Sequence, residues 1–89
     1  MAATFCSHPM SSVYVSMSNS NASIFMEKLG IEYKSKEVPY IEITDFKKMV
    51  FIWKNKENNQ DKYIINKLEE FEVLINYADR MGHDKIFWE

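Results

Sequence analysis

One stretch of this sequence constrains its fold more than any other: a long amphipathic segment between Gln60 and Met81. Its apolar residues recur at spacings of three and four, the pattern of a helix that buries one face. They are Ile64, Ile65, Leu68, Phe71, Leu74, Ile75, Ala78 and Met81. The stripe spans roughly 200° of the helix, which is wider than a coiled-coil seam. We therefore predict a helix over residues 60–81 that lies across a sheet rather than against a single partner helix.

Residues at both ends of this segment mark where the helix begins and ends. Before it, the stretch Asn58–Asp61 offers side chains that accept from the unpaired N–H groups of a first turn, and Asp61 suits the positive end of the helix dipole. After it, Gly82 suits the left-handed conformation that ends many helices, and Arg80 suits the last turn. These signals agree with the boundaries that the apolar spacing predicts.

Length and composition predict one globular domain, residues 1–89. The 89 residues are 46% hydrophobic and 15% aromatic, enough to pack a core. A chain of this size buries only about 60–65% of its unfolded surface, so we expect the core to be modest. The net charge of −2 predicts no general attraction to nucleic acid or to membranes.

Cysteine use and hydropathy favour a cytoplasmic protein. The single cysteine, Cys6, excludes an intramolecular disulfide and fits a reducing compartment. No apolar run approaches the ~20 residues of a transmembrane helix, and the first residues lack the pattern of a secretory signal. We therefore expect no membrane association.

The first part of the chain alternates between strand and helix signals. Residues 1–11 mix small residues and serines, and we expect a loose lead-in there. Ser12–Met17 alternates apolar and polar residues, as a half-buried strand does. A short helix is predicted over Ala22–Leu29, with Gly30 ending it, and Ile31–Val38 reads as a second strand.

The middle of the chain predicts two further strands. Tyr40–Ile43 follows a proline and reads as a short strand, and Thr44–Lys48 reads as a turn. Met49–Trp53 is continuously apolar, as a central strand covered on both faces would be. Residues 83–89 are expected to form a tail or an edge strand.

Together these elements predict an α+β fold: a single four-stranded sheet on which the short helix and the long C-terminal helix pack. Two arrangements suit the order β-α-β-β-β-α, with or without a last strand. One is a thioredoxin-like sheet without its middle helix. The other is a ferredoxin-like βαββαβ sandwich, in which the residues around Pro39 join one long bent strand.

Residues 13–43 resemble the layout of the glutaredoxins. The segments that carry the resemblance are Val13–Val15, Leu29–Tyr33 and Val38–Ile43. In that family a Val-Pro pair, with the proline in cis, precedes the third strand. The redox cysteines would stand around Ser18–Ala22, where this chain has none. The resemblance therefore implies a shared fold without thiol–disulfide exchange, that is, a redox-inactive protein with a peptide or glutathione groove near Pro39.

Four side chains near the two ends of the chain are of the types that bind metals. They are Cys6, His8, His83 and Asp84. A structural zinc site needs four ligands and usually shows two paired Cys/His clusters, which this sequence lacks. We expect a free thiol and two solvent-exposed histidines, with no metal, no cofactor and no Cys-His catalytic pair.

The segment Lys47–Lys56 interleaves four lysines with two aromatic residues. On the face of a sheet, such a strand could stack bases and contact phosphates. The glycine and the alternating aromatics of the RNA-recognition signature are absent, and a core strand with lysine-flanked ends explains the same residues. Binding of single-stranded nucleic acid is thus an alternative that we do not favour.

Two features near the carboxyl end predict contact with a protein. The long helix has acidic residues on one side, and two aromatic residues follow it. They are Glu69, Glu70, Glu72, Asp79, Phe87 and Trp88. Acidic surfaces steer association with basic partners, and tryptophan is enriched at interface hot spots. A solvated helix face and a pair of core aromatics are the alternatives.

We expect a non-enzymatic protein-binding module, because no catalytic constellation or phosphate-binding loop appears in the sequence. Ten of the eleven basic residues are lysine, and Asn and Ile are abundant, which is typical of AT-rich genes, common in some bacteria and in many phages. The sequence thus favours a phage- or mobile-element-encoded modulator or inhibitor of a host protein. It leaves the identity of the partner and the oligomeric state open.

Overall fold

The computed structural model of the chain describes residues 2–33, 39–56 and 61–89. Within these ranges the strands are β1 (Ala2–Cys6), β2 (Tyr14–Ser18), β3 (Tyr40–Glu42) and β4 (Lys85–Trp88). The helices are α1 (Asn19–Lys28), α2 (Ile43–Lys54) and α3 (Lys62–Met81). The strands form one antiparallel sheet in the order β2-β1-β4-β3.

This architecture confirms the predicted α+β fold class, with a four-stranded sheet, a short helix and a long C-terminal helix. It adds a third helix, α2, which the sequence did not predict. Along the chain the described elements run ββαβααβ. Compared with a βαββαβ sandwich, the described elements therefore add one strand at the start and have helix α2 in place of the third strand.

The described helices cover one face of the sheet, and none of them covers the other, the open face. Inward-facing strand residues are buried, and the residues between them are half-buried or exposed. The buried set is Ala3, Phe5, Val15, Met17, Ile41, Ile86 and Trp88. This alternation with period two is what a sheet with one solvated face requires.

Phe71 of α3 lies at the centre of the core. Its ring contacts Phe5 of β1 and Phe25 of α1, each with ring centroids 5.3 Å apart, and Phe46 of α2 at 4.9 Å. All four rings are fully buried. Aromatic pairs at such separations stabilise by about 0.5–1.5 kcal/mol beyond the area they bury. One side chain of the long helix thus connects the sheet to both shorter helices.

The prediction of a loose lead-in over residues 1–11 is wrong for its first part. Ala2–Cys6 is an interior strand that pairs with β2 on one side and β4 on the other. Its outward side chains are Ala2, Thr4 and Cys6, so the strand shows little apolar–polar alternation. The backbone hydrogen bonds and the burial of Phe5 hold it in the sheet.

The C-terminal strand is also placed differently from the expectation of a tail or an edge strand. Lys85–Trp88 lies between β1 and β3, inside the sheet. Backbone hydrogen bonds tie it to both neighbours: Thr4 and Glu89 exchange two, and Trp88 N–H donates to the Pro39 carbonyl oxygen. Among the strands that the structure describes, β2 and β3 are the outermost.

The turn predicted over Thr44–Lys48 and the strand predicted over Met49–Trp53 are both wrong, because Ile43–Lys54 is helix α2. Phe46 and Trp53 are buried at positions i and i+7, so the inner face follows helical spacing. The strand predicted over Ile31–Val38 is absent from residues 31–33, and residues 34–38 lie outside the described ranges.

The long helix is confirmed, over Lys62–Met81. Asp61 caps it: one carboxylate oxygen accepts from the N–H groups of Tyr63 and Ile64, and the other lies 2.9 Å from Lys28 Nζ. Gly82 ends it with φ of +75°, in the left-handed region that favours glycine. The remaining residues of the predicted start signal, 58–60, lie outside the described ranges.

Candidate partner-binding groove

A groove with a volume of about 350 Å³ lies between α2 and α3. Its floor is apolar and comes from both helices: Phe46 and Val50 of α2, and Leu68 and Ile75 of α3. Of these, Val50 is half-buried and the others are buried. A concave apolar floor on a small domain is a frequent site of ligand or partner binding.

Phe51 stands on the α2 rim of this groove and is 69% exposed. It lies one position beyond Val50, so the helix directs it towards solvent rather than into the core. Leaving a phenylalanine in water forgoes about 1.5–3 kcal/mol of burial. A rim phenylalanine beside an apolar floor is the arrangement of an interface anchor.

Opposite charges line the two sides of the groove. Lys47 and Lys54 belong to the α2 side, and Glu72 to the α3 side. At one end the sides are linked by an ion pair, 3.3 Å between Lys47 Nζ and an Asp79 carboxylate oxygen. Both partners are about half exposed, so this pair contributes little to stability. Within the described ranges Lys54 and Glu72 have no ion pair, and their charges are available to a ligand.

The acidic residues predicted for partner binding divide between two places on α3. Glu72 lines the groove, Asp79 forms the ion pair at its end, and Glu69 is exposed one turn before Glu72. Glu70 is not part of the groove lining. It pairs at 3.1 Å with Lys67, whose Nζ also donates to a backbone carbonyl of the outermost strand, β2. Glu70 therefore belongs to a contact that covers the sheet edge.

The two predicted aromatic contact residues lie on opposite faces of β4. Trp88 is buried and packs against Phe5 and Tyr33, with ring centroids 5.9 and 5.7 Å apart. Its side chain belongs to the core and leaves little surface for contact with a partner. Phe87 lies on the open face of the sheet, half-buried beside Tyr40. Neither residue is near enough to the groove to line it.

The two histidines come together although they are distant in sequence. Their rings stack with centroids 5.3 Å apart, Ser7 Oγ lies 2.9 Å from His83 Nδ1, and the Met10 N–H donates to His8 Nδ1. Cys6 projects from the open sheet face, two residues before His8. Among the residues that the structure describes, no three His, Cys, Asp or Glu side chains form a group that could hold a metal ion.

The strand proposed for nucleic-acid binding, Lys47–Lys56, is largely helix α2. The helix separates its two aromatic residues, because Trp53 is buried in the core and Phe51 points to solvent. A sheet face with two stacking platforms therefore does not form from this segment. Its lysines at positions 47 and 54 are part of the groove instead.

None of the helices in the described ranges is long and apolar enough to cross a membrane.

No protein-family model, curated protein or solved structure matches the chain. The likeness to glutaredoxins and the redox-inactive role that it implies therefore stay predictions. The Val38–Pro39 peptide, at which that family has its cis proline, includes a residue outside the described ranges.

Sequence reasoning missed the α2 half of the groove, including Val50 and Phe51. A helical reading of Ile43–Lys54 would have found Val50, since it places Phe46, Val50 and Lys54 one turn apart on one side. Nothing in the sequence distinguishes Phe51 from a core residue until the direction of the helix is known.

Proposed function

We propose that this chain is a small non-catalytic protein-binding module, and that its α2–α3 groove takes an amphipathic helix of a partner protein. The observation that carries the proposal is Phe51, a large apolar side chain exposed beside an apolar floor between two helices. Helix-in-groove recognition uses this combination of an apolar floor and aromatic anchors.

The charges on the groove define the partner helix more closely. Lys54 on the α2 side favours an acidic residue opposite it, and Glu72 on the α3 side favours a basic one. We therefore expect a partner helix with a central apolar stripe, an acidic flank towards α2 and a basic flank towards α3. The opposite orientation of the flanks places like charges together and is disfavoured.

A module of this kind acts by competition. A partner helix held in the groove is no longer available for the contacts that it makes within or between other proteins, so binding alone suffices to modulate or inhibit. This is the role that we proposed from the sequence for a phage- or mobile-element-encoded protein, and residue usage is its support. The cytoplasmic location suggested by the single cysteine fits the same role.

The proposal is tested with two synthetic helical peptides that share one apolar stripe and carry the charged flanks in opposite arrangements. Fluorescence anisotropy measures their affinity for the chain. We expect the peptide with complementary flanks to bind more tightly, and Phe51→Ala to weaken its binding by about tenfold or more, since losing an aromatic anchor costs upwards of about 1.4 kcal/mol.

The matched control is Val73→Ala. Val73 is 64% exposed on α3 and does not line the groove, so its replacement removes a comparable exposed apolar side chain elsewhere. Equal binding by wild type and Phe51→Ala, or equal affinity for both peptides, would contradict the proposal. In a host lysate, a genuine partner should be captured by wild type and Val73→Ala and lost with Phe51→Ala.

A further inference from the structure

A row of side chains crosses the open face of the sheet, one from each strand. Cys6 of β1 pairs with Tyr14 of β2 and with Phe87 of β4, and Phe87 pairs with Tyr40 of β3. Residues paired in this way stand side by side on the same face. Cys6 is much smaller than its two neighbours, so a trough opens along β1 between the rings of Tyr14 and Phe87.

The trough has a volume of about 230 Å³ and aromatic walls. Tyr14 and Phe87 stand two strand spacings apart, roughly 9.6 Å between their backbones, and Tyr14 is 60% exposed. Thr4 and Cys6 form the floor. Glu89 lines it beside Thr4, and two backbone hydrogen bonds of 3.1 and 3.3 Å between these residues fix its position.

The charge within the trough is negative. None of the described residues that line it is a lysine or an arginine, whereas Glu89 supplies a carboxylate. Burial raises the pKa of the Cys6 thiol, and the Glu89 carboxylate raises it further, against the opposing effect of a hydrogen bond with the His8 backbone. The Cys6 thiol on the floor is therefore uncharged at neutral pH, and Glu89 supplies the negative charge of the trough.

Aromatic ring faces and a carboxylate together are complementary to an organic cation. The same sheet face already holds one cation over a ring, since Lys85 Nζ lies 5.8 Å from the Tyr40 ring centroid. Among the cations that proteins carry, a guanidinium is planar, stacks on aromatic rings and pairs with a carboxylate in a fixed geometry. Phosphate groups would meet the Glu89 carboxylate and be repelled.

We propose that this trough binds an arginine side chain of a partner protein, with the guanidinium between Tyr14 and Phe87 and paired with Glu89. The site lies on the face of the sheet opposite the helices and shares no residue with the α2–α3 groove. It stands on its own observations and does not depend on the function proposed for the groove.

Cys6 makes the site directly testable, because it is the only cysteine of the chain and lies on the trough floor. The full chain is equilibrated with the symmetric disulfides of three cysteine-containing peptides that differ in one residue: arginine, its neutral isostere citrulline, or phosphoserine. Each disulfide formed at Cys6 breaks a peptide disulfide and releases one peptide thiol. Mass spectrometry measures which peptide is joined to Cys6. If the arginine side chain occupies the trough, more of the arginine peptide than of the citrulline peptide is joined to Cys6.

We expect the arginine adduct to exceed the citrulline adduct by roughly three- to tenfold, the range of an exposed cation–π contact combined with an ion pair. Glu89→Gln should bring the ratio close to one, and Phe87→Leu should reduce it. Glu69→Gln, which removes an exposed carboxylate on α3, should leave it unchanged. If Phe87→Leu does not fold, Glu89→Gln still tests the proposal, because Glu89 is exposed and its replacement should not disturb the fold.

Equal amounts of the arginine and citrulline adducts with the wild-type chain would overturn the proposal. So would a ratio that Glu89→Gln does not change. Absence of any adduct would mean that the trough is closed to side chains, and a preference for phosphoserine would assign it to a phosphate-bearing ligand. Since the groove residues are intact in every variant, none of these results bears on helix binding.

Discussion

Replacing Phe5 with alanine should destabilise this protein more than almost any other substitution near its amino terminus. Phe5 is fully buried on the inner side of an interior strand, and its ring contacts those of Tyr33, Phe71 and Trp88 at centroid distances of 6.4, 5.3 and 5.9 Å. Buried Phe→Ala substitutions cost about 3–5 kcal/mol. Strands on both sides of β1 limit how far the cavity can collapse, so we expect the upper half of that range.

The size of this loss can be compared with the whole stability. At roughly 0.05–0.15 kcal/mol per residue, a domain of this length has about 4–13 kcal/mol. A loss of about 4–5 kcal/mol, the upper half of the range for Phe→Ala, therefore removes about 30% of the stability or more. At about 4–8 °C per kcal/mol for a domain of this size, Tm should fall by at least about 15 °C.

Urea titrations followed by far-UV circular dichroism measure this effect. Thr4→Val is the matched control, since Thr4 lies in the same strand on the open face, and the change should stay within about 0.5 kcal/mol. Phe5→Leu keeps most of the apolar volume and should lose less than alanine, which preserves the comparison if the alanine variant does not fold. Equal urea midpoints for Phe5→Ala and Thr4→Val would refute the placement of Ala2–Cys6 in the core.

Two further predictions concern the ends of α3. Gly82→Ala should cost about 1–2 kcal/mol in the same titration, because a φ of +75° strains an alanine, while nothing lies within 4 Å of the added Cβ. Gly82→Asn should cost less, because asparagine tolerates the left-handed conformation better. Equal losses for the two variants would contradict this conformational explanation. Asp61→Asn should lower Tm at pH 7, because the hydrogen bond from Lys28 and then those from the first-turn N–H groups lower the pKa of the Asp61 carboxyl from 3.8. A carboxyl whose pKa is lowered by folding stabilises the fold at pH values above its pKa in the unfolded chain. This stabilisation is lost as the pH falls through the pKa of the carboxyl in the folded chain. The difference in Tm between Asp61→Asn and wild type should therefore shrink below pH 3.8, and a constant difference would argue against this cause.

The long helix could be predicted from the sequence because local and tertiary signals agree there. Its apolar spacing, its capping aspartate and its closing glycine all point to the same element, and the structure places its ends within two residues of the expectation. Strand β2 could be predicted for a similar reason: Val15 and Met17 alternate with exposed residues on a sheet with one solvated face. Where the buried residues of an element follow one regular spacing, the type of the element can be predicted from the sequence.

Helix α2 was not predictable by the same means. Its run Met49–Trp53 is continuously apolar, and periodicity alone cannot distinguish a buried strand from a helix that leaves apolar residues exposed. Phe51 and Ile52 are such residues in the structure. The exposed apolar side chain that now makes the groove a candidate site is thus the feature that concealed the helix.

The candidate sites required the tertiary structure. Glu72 was identified from the sequence as an acidic contact, but the lysines opposite it were placed at the two ends of a predicted strand. Phe87 was also identified, yet the trough depends on Cys6 and Tyr14 standing beside it, and this juxtaposition comes from strand pairing between the two ends of the chain. A small residue in β1 is informative only once its neighbours across the sheet are known.

The order of the strands also has a consequence for synthesis of the protein. The amino-terminal hairpin and β3 lie on opposite sides of β4 and join into one sheet only through it. Because a ribosome makes residues 85–88 last among these elements, the hairpin of β1 and β2 must wait, with one side of β1 unpaired, while about seventy further residues are made. At about 5–20 residues per second this wait lasts several seconds. Nascent chains of this protein should therefore fold only after β4 has left the exit tunnel, in a single late step.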